Sequence, residues 1–284
     1  MIILVDVDSF YVSAERIFRP DLEGKPVVVL SANDGNIIAR SKEAKKLKIR
    51  MGQPTFELGG VVKQHKVEII STNFTPYGDV SGRLMRILNQ FIEKIEIYSI
   101  DEAFLDVTGY ERIYTDLVAF GHQIRKTIKQ WVGLPVSIGI VPKETLAKVA
   151  SWYAKKQPNY NGVFELREAD RIQQALADFP CLEVWDIGHQ YNQLLKKNGI
   201  ETAYALTQCH DVWIQKHMTI EGLRLVDELR GNTRRPVQQY PAPKKSILTS
   251  PCFGTPVDDL KTLQEGLNTH VVRCGEKLRR QQSA

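Results

Sequence analysis

The chain has 284 residues, 43% hydrophobic and 25% charged, which is the ordinary share of a globular protein and excludes wholesale disorder. Its apolar runs, residues 1–5 and 26–30 among them, are strand-sized, which argues against a membrane span; Asp6 and Asp8 follow where a leader would carry basic residues, so no signal peptide is expected. A formal charge of +5, from 38 basic and 33 acidic residues, is a mild basic bias compatible with a polyanionic partner.

In chain order, Ile2–Val7 reads as a strand that runs into a helix from Phe10 to Phe18. Arg19-Pro20 breaks that helix, and residues 25–30 (K-P-V-V-V-L) read as a buried strand. The turn Asn33-Asp34-Gly35-Asn36 leads to a short strand, Ile37–Arg40, after which Ser41 caps a helix over residues 41–47. A helix over residues 76–93 places Val80, Leu84, Ile87, Leu88 and Phe91 on one face. Residues 95–109 (I-E-I-Y-S-I-D-E-A-F-L-D-V-T-G) read as two strands bent at the acid pair Asp101-Glu102. Helix 117–129, strand 136–141 and helix 143–156 complete an alternation that argues α/β or α+β for the first ~165 residues.

Beyond Gly162 the pattern turns all-helical, with helices expected at 168–179, 191–198 and 219–230. Residues 231–245 (G-N-T-R-R-P-V-Q-Q-Y-P-A-P-K-K) are proline-rich and basic, the best linker in the chain. From Ser246 onward one short strand and one helix are expected, the helix carrying an apolar stripe of Leu260, Leu263, Leu267, Val271, Cys274 and Leu278. So little structure rarely buries such a stripe alone. The cysteines Cys181, Cys209, Cys252 and Cys274 are scattered, without C-x-x-C, which fits a reducing cytoplasm and leaves any metal chemistry to carboxylates.

Asp6 ends an apolar strand, where open sheets place chemistry; the plainer reading is a cap for the next helix. Asp101 and Glu102 face one site only if the strand is interrupted there, because neighbours in a regular strand point to opposite faces. A solvated acidic turn is the alternative, although both flanks are apolar. Three converging carboxylates repel unless a cation sits among them, and Mg²⁺ is the hard, oxygen-seeking candidate, suited to phosphoryl transfer.

Four runs occur together and in order: V-D-V-D-S-F-Y (residues 5–11), G-K-P-V-V-V (24–29), Y-S-I-D-E-A-F-L-D (98–106) and L-A-K-V-A-S-W-Y-A-K-K (146–156). In these the chain resembles the Y-family translesion DNA polymerases. The segment N-D-G-N-I-I-A-R-S-K-E-A-K (33–45) makes it similar to the branch of UmuC-like catalytic subunits of the bacterial SOS mutagenesis polymerase.

The resemblance implies an α+β, right-hand polymerase core: a palm of mixed sheet and helices over 1–9 and 71–165, small α/β fingers over 10–70, a helix-hairpin-helix-like thumb over 166–231, a linker over 232–245, and the start of an incomplete little-finger domain over 246–284. It implies that Asp6, Asp101 and Glu102, with the main-chain carbonyl of Val7, hold two Mg²⁺ ions. Phe10 and Tyr11 are expected at the nucleotide, Tyr11 as the steric gate against a 2′-hydroxyl. On residues alone Tyr11, on a helix, reads more often as ordinary core.

Lys45 and Lys155 match basic side chains on the triphosphate. Lys45 stands where many members carry Arg, which exchanges a bidentate fork for a point charge, and Lys42 stands where many carry Tyr. The run Lys42, Lys45, Lys46, Lys48 and Arg50 also reads as a solvated helix face. Gly188, Lys196 and Lys197 match the thumb's phosphate-holding hairpin, with Asp186 where relatives usually have Gly.

The implied activity is error-prone, template-directed addition of dNTPs to a primer 3′-hydroxyl in the cytoplasm, as part of the SOS DNA-damage response. The implied partners are primer-template DNA and dNTP, and in this branch a processed UmuD-like accessory dimer, a recombinase filament and a sliding clamp, whose contacts are expected beyond Ala284. Two other readings stand beside it: a nucleotide cyclase on a similar sheet, and a shortened, catalytically silent subunit that binds DNA or a partner.

Overall fold

The computed structural model describes residues 1–32, 34–110, 112–232, 246–249 and 253–282. In chain order these form β1 (Ile2–Val7), α1 (Phe10–Phe18), β2 (Val27–Leu30), β3 (Ile37–Arg40), α2 (Lys42–Lys46), α3 (Gly59–His65), β4 (Glu68–Ile70), α4 (Phe74–Phe91), β5 (Ile95–Ile97), β6 (Glu102–Asp106), α5 (Leu117–Trp131), β7 (Val136–Val141), α6 (Glu144–Lys156), β8 (Val163–Glu165), α7 (Ala169–Asp178), α8 (His189–Lys197), α9 (Ala203–Thr207), α10 (Asp211–Leu229) and α11 (Leu260–Arg280). The chain divides into two units, Met1–Ile17 with Thr75–Gln239 and Phe18–Phe74 with Tyr240–Ala284. No described helix is long and apolar enough to cross a membrane.

The first unit is built on a five-stranded sheet in the order β5-β6-β1-β7-β8, antiparallel except for the parallel pair β7–β8. Its centre is continuously apolar because both faces are covered. Alternation along β1 and β7 sends Leu4, Asp6, Ser137, Gly139 and Val141 to one face, and Ile3, Val5, Ile138 and Ile140 to the other.

Helix α6 covers the first face at close range. A Cβ on Gly139 would meet the Ala147 carbonyl oxygen and the Ser151 amide at 2.7 Å, so only glycine lets the helix settle there. Helix α5 covers the second face through Gly121, whose missing Cβ leaves room for Val163, Ile138 and Ile140.

Leu4, Phe104, Val141 and α6 share one continuous core with the helices after β8, reaching Phe179, Leu195, Leu206, Ile214 and Leu229. The helical segment is therefore packed on the sheet rather than closed around a core of its own. The second unit has a three-stranded sheet, β3-β2-β4, antiparallel then parallel, with its own core of Val28, Leu30, Ile37, Ala44, Ile49, Leu58 and Val67.

The strands at 2–7, 37–40 and 136–141 fall where the patterns place them, and the hairpin bends at residues 98–101 as expected. Four elements went unread: α3, β4, β8 and α9 are each three to seven residues long, too short for a period to show. The helix expected to begin at Thr219 is the second half of α10, which breaks at Thr219 (φ 66°, ψ −173°). From Ser246 onward the described residues contain α11 and no strand, residues 250–252 lying outside them, and Leu260, Leu263, Leu267 and Val271 are exposed along the helix. The linker read over 232–245 lies, beyond Asn232, outside the described residues.

Candidate active site

Asp6 is the penultimate residue of β1 and stands directly opposite Glu102 on β6 and Ser137 on β7. Opposed residues of antiparallel strands share a face, so register alone makes Asp6 and Glu102 neighbours. Both are buried, at 5% and 9% exposure.

Helix α6 lays Lys148, Ser151 and Lys155 over them, spaced three and four residues apart on one helical stripe. The Lys148 ammonium donates to Glu102 and lies 3.4 Å from Asp6 Oδ2. Lys155 donates to Asp6 Oδ1 at 2.6 Å and lies 3.6 Å from Asp8 Oδ1. Ser151 reaches Asp6 Oδ2 at 3.5 Å, and Ser137 donates to Asp8 at 3.0 Å.

Asp101 occupies the bend before β6. Its main-chain carbonyl accepts from the Val7 amide at 3.0 Å, tying the bend to the end of β1. Its carboxylate accepts from the Ser99 hydroxyl at 2.6 Å, and its charge reaches Lys148, Lys155 and Tyr11. Burial holds the Lys148 ammonium below the ordinary lysine range against the pull of Asp6. Burial works the same way on Lys155, but there the carboxylates of Asp6 and Asp8 prevail and its pKa is raised. Two ammonium groups thus serve as stand-in cations for a cluster of carboxylates.

Whether these residues suit a metal turns on their donors. Asp6 and Glu102, with Asp101 and the carbonyl end of β1 beside them, offer hard oxygens of the kind Mg²⁺ takes, and the two ammoniums mark where positive charge is favoured. The donor set fits. Among the described residues no three His, Cys, Asp or Glu side chains already surround a common point. Asp6 and Glu102 are brought together, whereas the Asp101 side chain is turned onto Ser99.

Beside the acids lies an aromatic group. Phe10 is buried, and the ring of Tyr11 packs at 5.5 Å from it and at 5.0 Å from Tyr77, whose hydroxyl donates to Glu15 at 2.5 Å. Burial, then the charge of Asp101, raises the Tyr11 hydroxyl pKa. Lys148 also lies over the ring of Trp185, at 5.6 Å, and Trp185 packs on Tyr98 and Phe104.

Lys148, Ser151, Ser137, Tyr77 and Trp185 were missed by the sequence reading. For the first two the signal was present: Lys148, Ser151 and Lys155 are the polar stripe of a helix otherwise rich in buried apolar and small residues.

The remaining expected positions belong to other elements. Lys45 belongs to the second unit and is exposed on α2. That five-residue helix is anchored by the buried Ser41 hydroxyl, which accepts from the amides of Ala44 and Val27 and donates to the Lys25 carbonyl. In the first unit Gly188 is the N-cap of α8, with no side-chain cap, while Lys196 and Lys197 are exposed in its last turn. Nine helical residues span roughly 13 Å, so Gly188 and the two lysines mark opposite ends rather than one locus. Asp186 adopts φ +61°, the left-handed conformation that glycine takes without cost.

Residues 5–152 match the impB/mucB/samB family. The chain is 41% identical over 280 residues to UmuC of Salmonella typhimurium strain LT2 and 40% identical over 281 residues to ImpB of Salmonella typhimurium. Each alignment covers 98% of this chain, which spans 66% of the length of those relatives. A DNA polymerase IV of Dehalococcoides mccartyi strain CBDB1 is 31% identical over 253 residues, 88% of this chain and 63% of that protein. Among solved structures, DinB from Sulfolobus solfataricus superposes with a TM-score of 0.72 at 26% identity, covering 84% of this chain and 69% of that one. With a family match across the strand end, the acid pair and most of α6, the chain belongs to the impB/mucB/samB family and has the α+β fold of the Y-family DNA polymerases.

Proposed function

We propose that this chain carries the nucleotidyl-transfer centre of an error-prone translesion DNA polymerase of the SOS response, acting on primer-template DNA and dNTPs. The observation that carries the reading is the direct opposition of Asp6 and Glu102 under two lysines, with Asp101 at the adjoining bend. The reaction is attack of a primer 3′-hydroxyl on the α-phosphate of a dNTP, with loss of pyrophosphate. Asp6, Asp101, Glu102 and the Val7 carbonyl would hold two Mg²⁺ ions. Bound there, the ions supply charge neutralisation at the nucleophile and the leaving phosphates.

The chain's own side chains do the rest by position. Asp6 and Glu102 are fixed by strand register, so the site is assembled before substrate arrives. Lys155, partly exposed and pulled toward Asp6 and Asp8, presents a cation to the triphosphate, and Lys45 is assigned a second. Tyr11, packed on Phe10 and Tyr77, is a stiff ring suited to filling the space of a ribose 2′-hydroxyl.

The α8 amides after Gly188 suit a DNA phosphate, with Lys196 and Lys197 as separate backbone contacts. Palm, fingers and thumb correspond in this reading to 1–9 with 71–165, 10–70 and 166–231. A UmuD-like dimer, a recombinase filament and a sliding clamp are its assigned partners, in the cytoplasm.

Primer extension on an undamaged template, for the parent and for Asp101→Ala, tests the reading. Loss of extension by at least about a hundredfold, with the melting temperature retained, is expected. Equal extension by both proteins would remove the acids from the chemistry. Tyr11→Ala should raise ribonucleotide incorporation, read from the same gels.

A further inference from the structure

Helix α5 carries a second charged feature that the nucleotidyl-transfer reading does not use. His122, Arg125, Lys126 and Lys129 recur at helical spacing along one stripe, beside the buried stripe of Leu117, Phe120, Gly121, Ile124 and Ile128, and the helix contains no acid. The cationic stripe borders a cleft of about 810 Å³ with Leu134, Pro135 and Val136 also in its lining, and none of the lining residues is acidic.

Two of the cations are held by carbonyls rather than neutralised by carboxylates. Arg125 donates to the Val136 carbonyl at 3.0 Å and Lys129 to the Gly133 carbonyl at 3.0 Å. Among the described residues, Arg125, Lys126 and Lys129 form no ion pair. Like charges four residues apart, as at Arg125 and Lys129, weaken a helix, and the helix dipole offsets this chiefly in the last turn. Arg125 and Lys129 thus brace the end of α5, whereas no hydrogen bond or ion pair of that kind among the described residues accounts for Lys126.

We propose that this cleft binds the phosphate backbone of an unpaired nucleic-acid strand. Its concavity favours a single strand over a duplex. Cations on adjacent turns suit successive phosphates of a flexible strand, whose bases would face solvent, because Leu134 and Val136 are fully buried. The site is distinct from the acids: α5 covers the sheet face of Ile138 and Ile140, opposite the face that carries Asp6 and Glu102. The proposal does not depend on nucleotidyl transfer.

The test is fluorescence anisotropy of a labelled oligothymidylate with the parent, with Lys126→Glu/Lys129→Glu, and with Lys126→Arg/Lys129→Arg. Both lysines are exposed, so the variants should melt with the parent. Charge reversal should weaken binding roughly tenfold and flatten the slope of log K against log salt by about 1.4, two contacts at about 0.7 each. The arginine variant should bind as the parent does.

Unchanged affinity and slope on charge reversal would overturn the proposal. So would a polyglutamate peptide that displaces the oligonucleotide at equal charge concentration, since the cleft would then serve an acidic protein. Primer extension at saturating primer-template is run alongside and should be equal in all three. If the parent shows no extension, the polymerase reading fails while the anisotropy result stands.

Discussion

The two sheets of this protein hold their functional charges in different ways. In the first unit, Asp6 and Glu102 are locked by strand register and buried against Lys148 and Lys155. In the second, Lys45 is an exposed residue on a five-residue helix whose fixed point is the Ser41 hydroxyl. Buried charges are held in place, and removing a cation from a cluster richer in carboxylates leaves negative charge uncompensated. An exposed charge on a short helix tunes affinity and little else. Under the proposed function, position along a strand end would supply precision and position on a surface helix adjustable grip.

The sharpest way to break this contrast is to remove the two sides of the buried cluster separately. Asp6→Asn should abolish primer extension with little loss of melting temperature, because it lowers the density of like charge among the carboxylates. Lys148→Met should instead destabilise the fold by about 1–3 kcal/mol, since Glu102 and Asp6 lose a shared partner. If both variants melt alike, the lysine is not the counter-ion that the geometry makes it. Lys45→Ala, the corresponding change in the second unit, should raise KM for dNTP roughly tenfold and leave melting unchanged.

Alkaline titration gives a smaller and more diffuse signal. Burial and the neighbouring charge of Cys209 push the Cys181 thiol up to about 12, and burial with Asp178 pushes the Tyr153 hydroxyl up to about 12. Lys155 is also raised, burial notwithstanding, by Asp6 and Asp8. Groups with raised folded-state values hold protons that the unfolded chain has released. Their contribution is complete below the unfolded values, near pH 9 to 10.5, and is lost as pH rises toward 12. Melting temperature should fall over that window and stay flat from pH 7 to 8.5 as far as these groups are concerned; a scan of melting against pH measures it.

The smallest effect belongs to Asp186→Gly. Relief of the left-handed backbone at φ +61° is partly offset by the greater freedom of glycine in the unfolded chain, so stability should rise by no more than about 1 kcal/mol, read by denaturant midpoint.

Much of the site was legible before folding because it follows local rules. An apolar strand ending in acid, an acid pair between two apolar runs and a capped helix after Ser41 each declare themselves within ten residues. The contribution of Lys148 did not, since a lysine on an amphipathic helix reads as solvated until something shows what the helix packs upon. The position of Gly188 relative to Lys196 and Lys197 was equally opaque: their closeness in sequence concealed a whole helix length between them. The strand expected after Ser246 rested on a short pattern that the described residues do not show.

What the sequence by itself determined is the set of elements and the chemical kind of the site, because hydrophobic period and the hardness of carboxylate oxygens are properties of residues in order. Tertiary structure decided which acids meet and which cations answer them. Antiparallel register set Asp6 opposite Glu102 from 96 positions away, and the bare backbone of Gly139 brought α6 close enough for Lys148 and Lys155 to reach both. Such proximity depends on packing across strands, which no local pattern encodes.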